Sequence, residues 1–496
     1  GFINVFLAED AKFQVLNTIF ATGERYGRAI PDSKQKILIE FVSANPTGPL
    51  HVGHGRGAVS GDSLGRLLTA AGHTVEREYY VNDAGRQMDI LAASVWVRYA
   101  QKAGSEVILP AKAYQGEYVS DMGADLYSQH KDIYLIDPAK IASAQADLED
   151  EAALDALILT IKTELGSKGY ELFFNRALDA ILADIKDDLS GFGITYDTWF
   201  SERSLFTSGK IDKAIATLKA SGSLYEKKGA WWFKSTDYGD EKDRVVVREN
   251  GQPTYFASDI AYHFDKLERG FDLAINIWGS DHHGYIPRVK AAMQAIGLDQ
   301  EKLKVLLVQF AVLYRSGEKI SLSTRSGMYV TLRELRDEIG SDATRFFYTQ
   351  RKAEQHMDFD LDLAKSKSNE NPMYYVQYAH ARISRIFATA EERELTITPA
   401  VEADHTLLTS DHEAELLKLL ERFAELVESA ASQYEPHQIT YYLRDLANAF
   451  HSWYNSSRFL ELDAPERDAK LALCKAVQQV LRNGLDIIGV AAPDSM

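Results

Sequence analysis

At 496 residues, 45% hydrophobic and 26% charged, the chain has an ordinary globular composition and enough length for several cores. Its formal charge of −17 excludes indiscriminate nucleic-acid binding, which depends on neutralising phosphates, and its single cysteine, Cys474, excludes an intrachain disulfide or a thiolate metal cluster. No apolar stretch is long enough to span a bilayer and the start lacks a secretory signal pattern, so a cytoplasmic protein with no membrane partner is expected.

Residues 1–30 read as a helix-prone lead-in ending at Pro31. Ile37 to Val42 is short, apolar and β-branched, as in a strand buried on both faces of a parallel sheet. Pro46, Gly48 and Pro49 force a turn, a helix is predicted from Gly57 to Ala71, and a strand from Thr74 to Val81 precedes another helix. Residues 31–100 are thereby a βαβ unit, the first half of a Rossmann-like α/β domain. Residues 101–234 are helical, charged and broken at Gly191, Gly193, Ser221 and Gly222, which suggests an insertion. The stretch beginning at Leu224 has the alternation of antiparallel hairpins. Residues 235–365 form the second half of the sheet domain, with strands predicted over Leu273–Trp278 and Lys304–Leu313 and a polar loop over Arg315–Gly327. Residues 366–496 are purely helical in period: Pro372–Ala390, Asp411–Ser432, Ile439–Phe459 and Ala469–Ile488 should pack as an all-α bundle.

The turn after the first predicted strand carries His51, Gly53, His54, Gly55 and Gly57. Glycines bring backbone amides close to a ligand at a helix start, and two imidazoles three residues apart can donate hydrogen bonds to phosphate oxygens. A zinc site is the weaker reading, because Val52 stands where an HExxH glutamate would be, and no structural zinc is expected. Three further clusters can meet this turn at the carboxyl ends of one parallel sheet: Glu40 with Asn45; Tyr255 with Asp259, four apart on one helix face; and Asp281, His282 and His283. A carboxylate on a buried strand needs a cation, so Glu40 facing Asp259 defines a pocket for a planar guanidinium. The alternatives are an internal arginine partner for Glu40 and core packing for Tyr255. Lys319 and Arg325, in the loop after a strand, are the candidate phosphate cations. In the helical domain Tyr374, Tyr378 and Arg382 share a face, as do Asn448, Trp453, Tyr454 and Arg458; such faces can stack on unpaired bases, and the alternative is an ordinary bundle seam in which most of these aromatics are core. Residues 366–496 carry 12 Lys and Arg against 20 Asp and Glu, so any nucleic acid bound there is held by a local patch. No stripe of exposed heptads suggests assembly, and a monomer is expected.

The motifs EFVSANPTGPLHVGHGRG, EREYYVNDAGRQM, PTYFASDIAYH, WGSDHHGYIPRVKA, LSTRSGMYVTLRELRDEIG and NPMYYVQYAHARI occur in the order found in bacterial arginyl-tRNA synthetases, and the chain resembles that class I family along its whole length. The resemblance implies that ATP and L-arginine give arginyl-adenylate and pyrophosphate, and that arginine then passes to the terminal adenosine of tRNA(Arg), with Mg²⁺ accompanying ATP. By position it assigns Glu40, Asn45, Tyr255, Asp259 and His282 to arginine. It assigns His51, Gly53, His54, Gly55, Asp281, Ser323 and Thr324 to ATP, and Met496 at the family-like C-terminus to tRNA. His51, His54, Lys319 and Arg325 are the candidate catalytic groups. Two departures stand out: Ser321 to Arg325 replace the family's KMSKS sequence without either lysine, and the opening GFINVFL resembles the stretch where the family's extra N-terminal domain ends, so a piece lacking that domain is expected. Rival readings are a small nucleotidylyltransferase, a class I synthetase for lysine, and a non-catalytic tRNA-binding paralogue.

Overall fold

The computed structural model describes residues 11–31, 33–142, 151–320 and 330–496. Eleven strands occur among them: β1 (Lys36–Glu40), β2 (Thr74–Val81), β3 (Thr198–Ser201), β4 (Leu224–Lys227), β5 (Ala230–Phe233), β6 (Arg244–Val247), β7 (Leu273–Gly279), β8 (Leu303–Val308), β9 (Ala311–Arg315), β10 (Glu318–Lys319) and β11 (Met357–Asp360). The central sheet has the order β3-β2-β1-β7-β8, and every neighbouring pair is parallel. Ile37, Leu38 and Ile39 of β1 are buried, as a central strand covered on both faces requires. The strand order runs outward from β1 in one direction and from β7 in the other, so a crevice opens at their carboxyl ends. Glu40 closes β1 there, in register with Glu78 on one side and Asn276 on the other.

Three elements depart from the sequence expectation. The helix after the turn begins at Val52, not Gly57, and runs to Ala70 because two imidazoles cap it. β3 lies inside the stretch read as an insertion, yet it is the edge strand of the central sheet. The single strand predicted over Lys304–Leu313 is two: β8 belongs to the central sheet, and β9 pairs with β10 and β11 in a second, three-stranded sheet. Between them the Gln309 amide leaves the ladder and donates to the Ala353 carbonyl at 2.9 Å. β4, β5 and β6 form the expected antiparallel sheet.

The helical domain consists mainly of Pro372–Glu392, Asp411–Gln433, His437–Ser456 and Ala464–Ile487. The lead-in helix Gln14–Thr22 packs into this bundle with Leu16 and Ile19 fully buried, and the Tyr26 hydroxyl donates to the Leu420 carbonyl at 2.7 Å. The bundle is fastened to the sheet domain through the helix Ser341–Thr349. There the buried Arg345 donates to Asp62 on the helix Val52–Ala70 (2.6 Å) and to the carbonyls of Phe192 (2.9 Å) and Ile488 (3.0 Å). No helix among the described residues is long and apolar enough to cross a membrane.

Candidate active site

The chain leaves β1 through a strained turn. Val42 has φ 67° and Ser43 φ 43°, a region that a β-branched residue such as valine rarely occupies. The strain turns the Ser43 hydroxyl back on the strand, where it donates to Glu40 Oε1 (3.0 Å) and accepts from the Tyr80 amide (3.1 Å).

The turn ends at His51, the N-cap of the helix Val52–Ala70. Its Nδ1 accepts from the Gly53 amide at 3.1 Å, and its own amide donates to His54 Nδ1 at 3.3 Å. The two rings lie 3.8 Å apart. A ring nitrogen that accepts from an amide carries no proton, so each imidazole keeps its proton on Nε2 as a donor. Burial lowers the pKa of His51, and burial with the neighbouring His51 holds His54 down at about 3. Both are neutral N–H donors at physiological pH, set at a helix N-terminus whose amides favour anions. A Cβ on Gly53 would lie 2.7 Å from His51 Cε1, so glycine is needed for the cap to form. Gly55 answers to packing instead, because a Cβ there would meet Leu332 and Tyr348 at 2.9 and 3.0 Å.

Across the crevice the helix Tyr255–Glu268 places Tyr255 in its first turn and Asp259 one turn later. Tyr255 is exposed, not core. Its hydroxyl lies 3.7 Å from the Cβ position of Gly85, and Asn82 Oδ1 lies 3.1 Å from that same point. Asn82 in turn donates to Asn45 Oδ1 at 3.2 Å, while Asn45 donates to Gln87 at 2.7 Å. Asn45, Asn82 and Tyr255 therefore converge on one wall. Asp259 accepts from the Tyr285 hydroxyl. Burial pushes its pKa up to about 7, against the Tyr285 hydrogen bond and with the nearby carboxylates of Glu202 and Glu40 raising it further. His282 is exposed at the end of β7, its ring 6.5 Å from Trp278, whose ring is 6.0 Å from Tyr285.

Two corrections concern the acids. Glu40 does not stand open to a guest: its Oε2 accepts from the ammonium of the fully buried Lys266 at 2.6 Å, so an internal cation is present, a lysine where an arginine was the alternative. The second unneutralised acid is Glu202, buried just past β3, whose Oε2 has no hydrogen-bond partner among the described residues and whose pKa burial raises. Nothing in WFSERSL marks it, because its neighbour Asp259 is 57 residues away. Phe310 was missed as well. It follows β8, is 49% exposed, and its ring lies 3.5 Å from the Cβ position of Gly53 and 3.8 Å from that of Gly279, so it bridges the HVGH turn and the end of β7 beside Asp281. Arg56, itself buried, grips the Gln309 carbonyl just before it at 2.9 Å.

Lys319 is exposed in β10, at the entrance to the polar loop. Ser323, Thr324 and Arg325 lie outside the described residues. The chain re-emerges at Val330 stitched to the HVGH turn: the Val52 amide donates to the Val330 carbonyl (3.1 Å), and the Leu332 amide to that of Leu50 (2.8 Å).

The family model for the catalytic domain of tRNA synthetases class I (R) matches residues 15–360, and that for the DALR anticodon binding domain matches 376–496. The chain is 57% identical to the arginine–tRNA ligase of Hydrogenovibrio crunogenus and 56% identical to that of Thioalkalivibrio sulfidiphilus, in each case over all of this chain and 86% of the relative. It belongs to the arginine–tRNA ligases. A Campylobacter jejuni crystal structure proposed to be an arginyl-tRNA synthetase superposes with a TM-score of 0.86 at 32% identity, covering 99% of this chain and 100% of that one. The Thermus thermophilus arginyl-tRNA synthetase shares the fold, with a TM-score of 0.73 at 22% identity over 98% of this chain and 86% of that one.

Within the DALR domain of this ligase a cleft of about 890 Å³ is lined by Tyr378, Arg382, Tyr454, Arg458 and Met496, among others. Arg382 lies 4.4 Å above the Tyr378 ring and 4.8 Å from that of Tyr454, and Tyr374 stacks on Tyr378 with centroids 5.9 Å apart. Trp453 is not part of this surface. It is 1% exposed and its indole N–H donates to the buried Glu413 at 3.3 Å, which makes it core.

Proposed function

We propose that the crevice between β1 and β7 activates L-arginine with ATP, and that the arginyl group then passes to the 3′-terminal adenosine of tRNA(Arg). Asp259 carries this reading: among the described residues it makes no ion pair, the charge of Arg288 opposing its raised pKa only weakly, and it lies among other acids, one strand-end from a helix-capping turn that favours anions. A guanidinium supplies the missing charge and several donors at once. Asp259 and Glu202 receive it, Tyr255 and Asn45 bound its path, and His282 closes the side toward β7. The α-carboxylate of arginine attacks the α-phosphorus of ATP and pyrophosphate leaves. Nε2–H of His51 and of His54 donates to phosphate oxygens as negative charge builds, a contribution that grows toward the transition state. The Gly53 amide is spent on the His51 cap, so the turn acts on phosphate through its imidazoles. The purine rests against Phe310 beside Asp281. Lys319, with Ser323, Thr324 and Arg325 of the following segment, takes the leaving pyrophosphate.

Magnesium enters with ATP as part of the substrate. The described residues form no group of three or more His, Cys, Asp or Glu able to hold a metal, so no step is assigned to a protein-held ion. The cleft at Tyr378, Arg382, Tyr454, Arg458 and Met496 receives unpaired bases of the tRNA. We place the enzyme in the cytoplasm as a monomer. ATP–pyrophosphate exchange, run with each amino acid in turn and with or without tRNA, tests the reading. Exchange with arginine is expected, and exchange only with lysine, or none with any amino acid, would overturn it.

A further inference from the structure

Lys266 has no part in the chemistry above, yet its side chain is fully enclosed beneath the arginine pocket. Its Nζ donates to Glu40 Oε2 at 2.6 Å and to Asn276 Oδ1 at 2.7 Å, and sits 4.2 Å from the Tyr262 ring. Asn276 Nδ2 donates to His263 Nε2 at 2.7 Å, and His263 Nδ1 donates to the carbonyl of Asp259 at 2.8 Å. Every member of this chain has one consistent donor or acceptor role. Burial and Lys266 hold His263 down at about 3, which keeps the neutral tautomer that the chain requires. One lysine on the helix Tyr255–Glu268 thus ties the end of β1 to the middle of β7, and the bonds return to the backbone of Asp259.

We propose that Lys266 is a positioning residue that removes Glu40 from arginine recognition: it cancels the Glu40 charge and fixes the turn of helix that presents Asp259. The inference rests on Asp259 being the guanidinium partner. Glu40, Asp259 and Glu202 would otherwise place three acids around a single cation. With Glu40 and Lys266 summing to zero, the charge offered to the substrate is that of Asp259 and Glu202. The Glu40 carboxylate is engaged at both oxygens, Oε1 by the Ser43 hydroxyl and Oε2 by the Lys266 ammonium, so its charge is already met inside the protein.

Breaking a buried ion pair leaves an uncompensated charge, whereas removing both partners together is close to neutral. Calorimetric titration of the full chain with arginine and separately with ATP, on the parent, E40Q, K266M and E40Q/K266M, tests this. E40Q leaves a buried ammonium beside a site for a cation, and arginine binding should weaken by about tenfold or more while ATP binding is kept. Adding K266M to E40Q should restore arginine binding to within about threefold of the parent. A double variant that still binds ATP but has lost arginine would show Glu40 to be a direct ligand and would overturn the inference. Should either single variant fail to fold, the double variant decides alone. Failure of the parent to bind arginine would instead reject the active-site reading itself.

Discussion

Replacing Asp259 with asparagine should weaken arginine binding and remove its dependence on pH. Without substrate, Asp259 has a pKa of about 7, raised from 3.8 chiefly by burial. Guanidinium stays charged throughout the accessible range and binds the carboxylate form. The apparent dissociation constant therefore scales with the fraction of Asp259 ionised. One pH unit below its pKa about a tenth of the sites are ionised, so affinity at pH 6 should be about tenfold weaker than at pH 8, and binding at pH 7 should release about half a proton. His54, held at about 3, stays neutral across this window, and burial lowers His51 as well. Titration calorimetry in buffers of different ionisation enthalpy reads both affinity and proton release. In D259N the slope should vanish and affinity should fall by about 10- to 150-fold, the worth of hydrogen bonds to a charged group. Stability should move the other way. A carboxyl whose folded pKa lies above its unfolded value is neutral in both states below the unfolded pKa. It destabilises the fold increasingly as pH rises from there to about 7, and keeps that penalty above it. The substrate-free variant should therefore melt higher than the parent at pH 8. Dissociation constants that are flat between pH 6 and 8, with no proton released, would refute the reasoning.

A methyl group added at Gly53 would sit 2.7 Å from His51 Cε1 and drive that ring off the Gly53 amide; G53A should lower pyrophosphate exchange by about 10²-fold and leave calorimetric arginine binding intact. R345M removes the most buried of the cations around Asp62 and frees the Phe192 and Ile488 carbonyls, and urea unfolding should show a loss of about 3–5 kcal/mol. Y378A should raise the tRNA KM by about 5- to 150-fold, as expected for one stacked base, without shifting Tm. W453A should do the reverse, with about 3–5 kcal/mol of stability lost to a cavity and the tRNA KM little changed in the protein that remains folded.

Where one local rule governed an element, the sequence was a sufficient guide. The alternation and bounding turns of Thr74–Val81 located β2 to the residue, and the helical period located the four long bundle helices within a few residues. The misreadings came from interactions that no window contains. Gly53 and Gly55 look like helix breakers beside a turn, but the reciprocal imidazole caps of His51 and His54 start the helix five residues early, and Leu332 and Tyr348 fill the space that Gly55 leaves. β8 and β9 are separated in sequence only by Gln309 and Phe310, within a largely apolar stretch. They separate only because Arg56 and the Ala353 carbonyl, from distant parts of the chain, seize the backbone of Gln309.

The candidate site divides along the same line. HVGH, Asn45, Tyr255 and Asp259 were legible because each lies at the end of a strand or start of a helix, where such folds collect their chemistry. The partner of each acid was not legible. Glu40 and Asp259 are equally buried-acid candidates in sequence, and what separates them is which one meets a cation inside the protein. That is decided by Lys266, on the same helix as Asp259 but seven residues further along. Two turns of helix carry Lys266 from the mouth of the crevice to its floor, where Glu40 and Asn276 lie side by side across β1 and β7. Asp259, nearer the helix start, is left at the mouth with a phenol as its hydrogen-bond donor. The same helix thus supplies both the acid that awaits a cation and the cation that silences its neighbour, and the difference between them is depth.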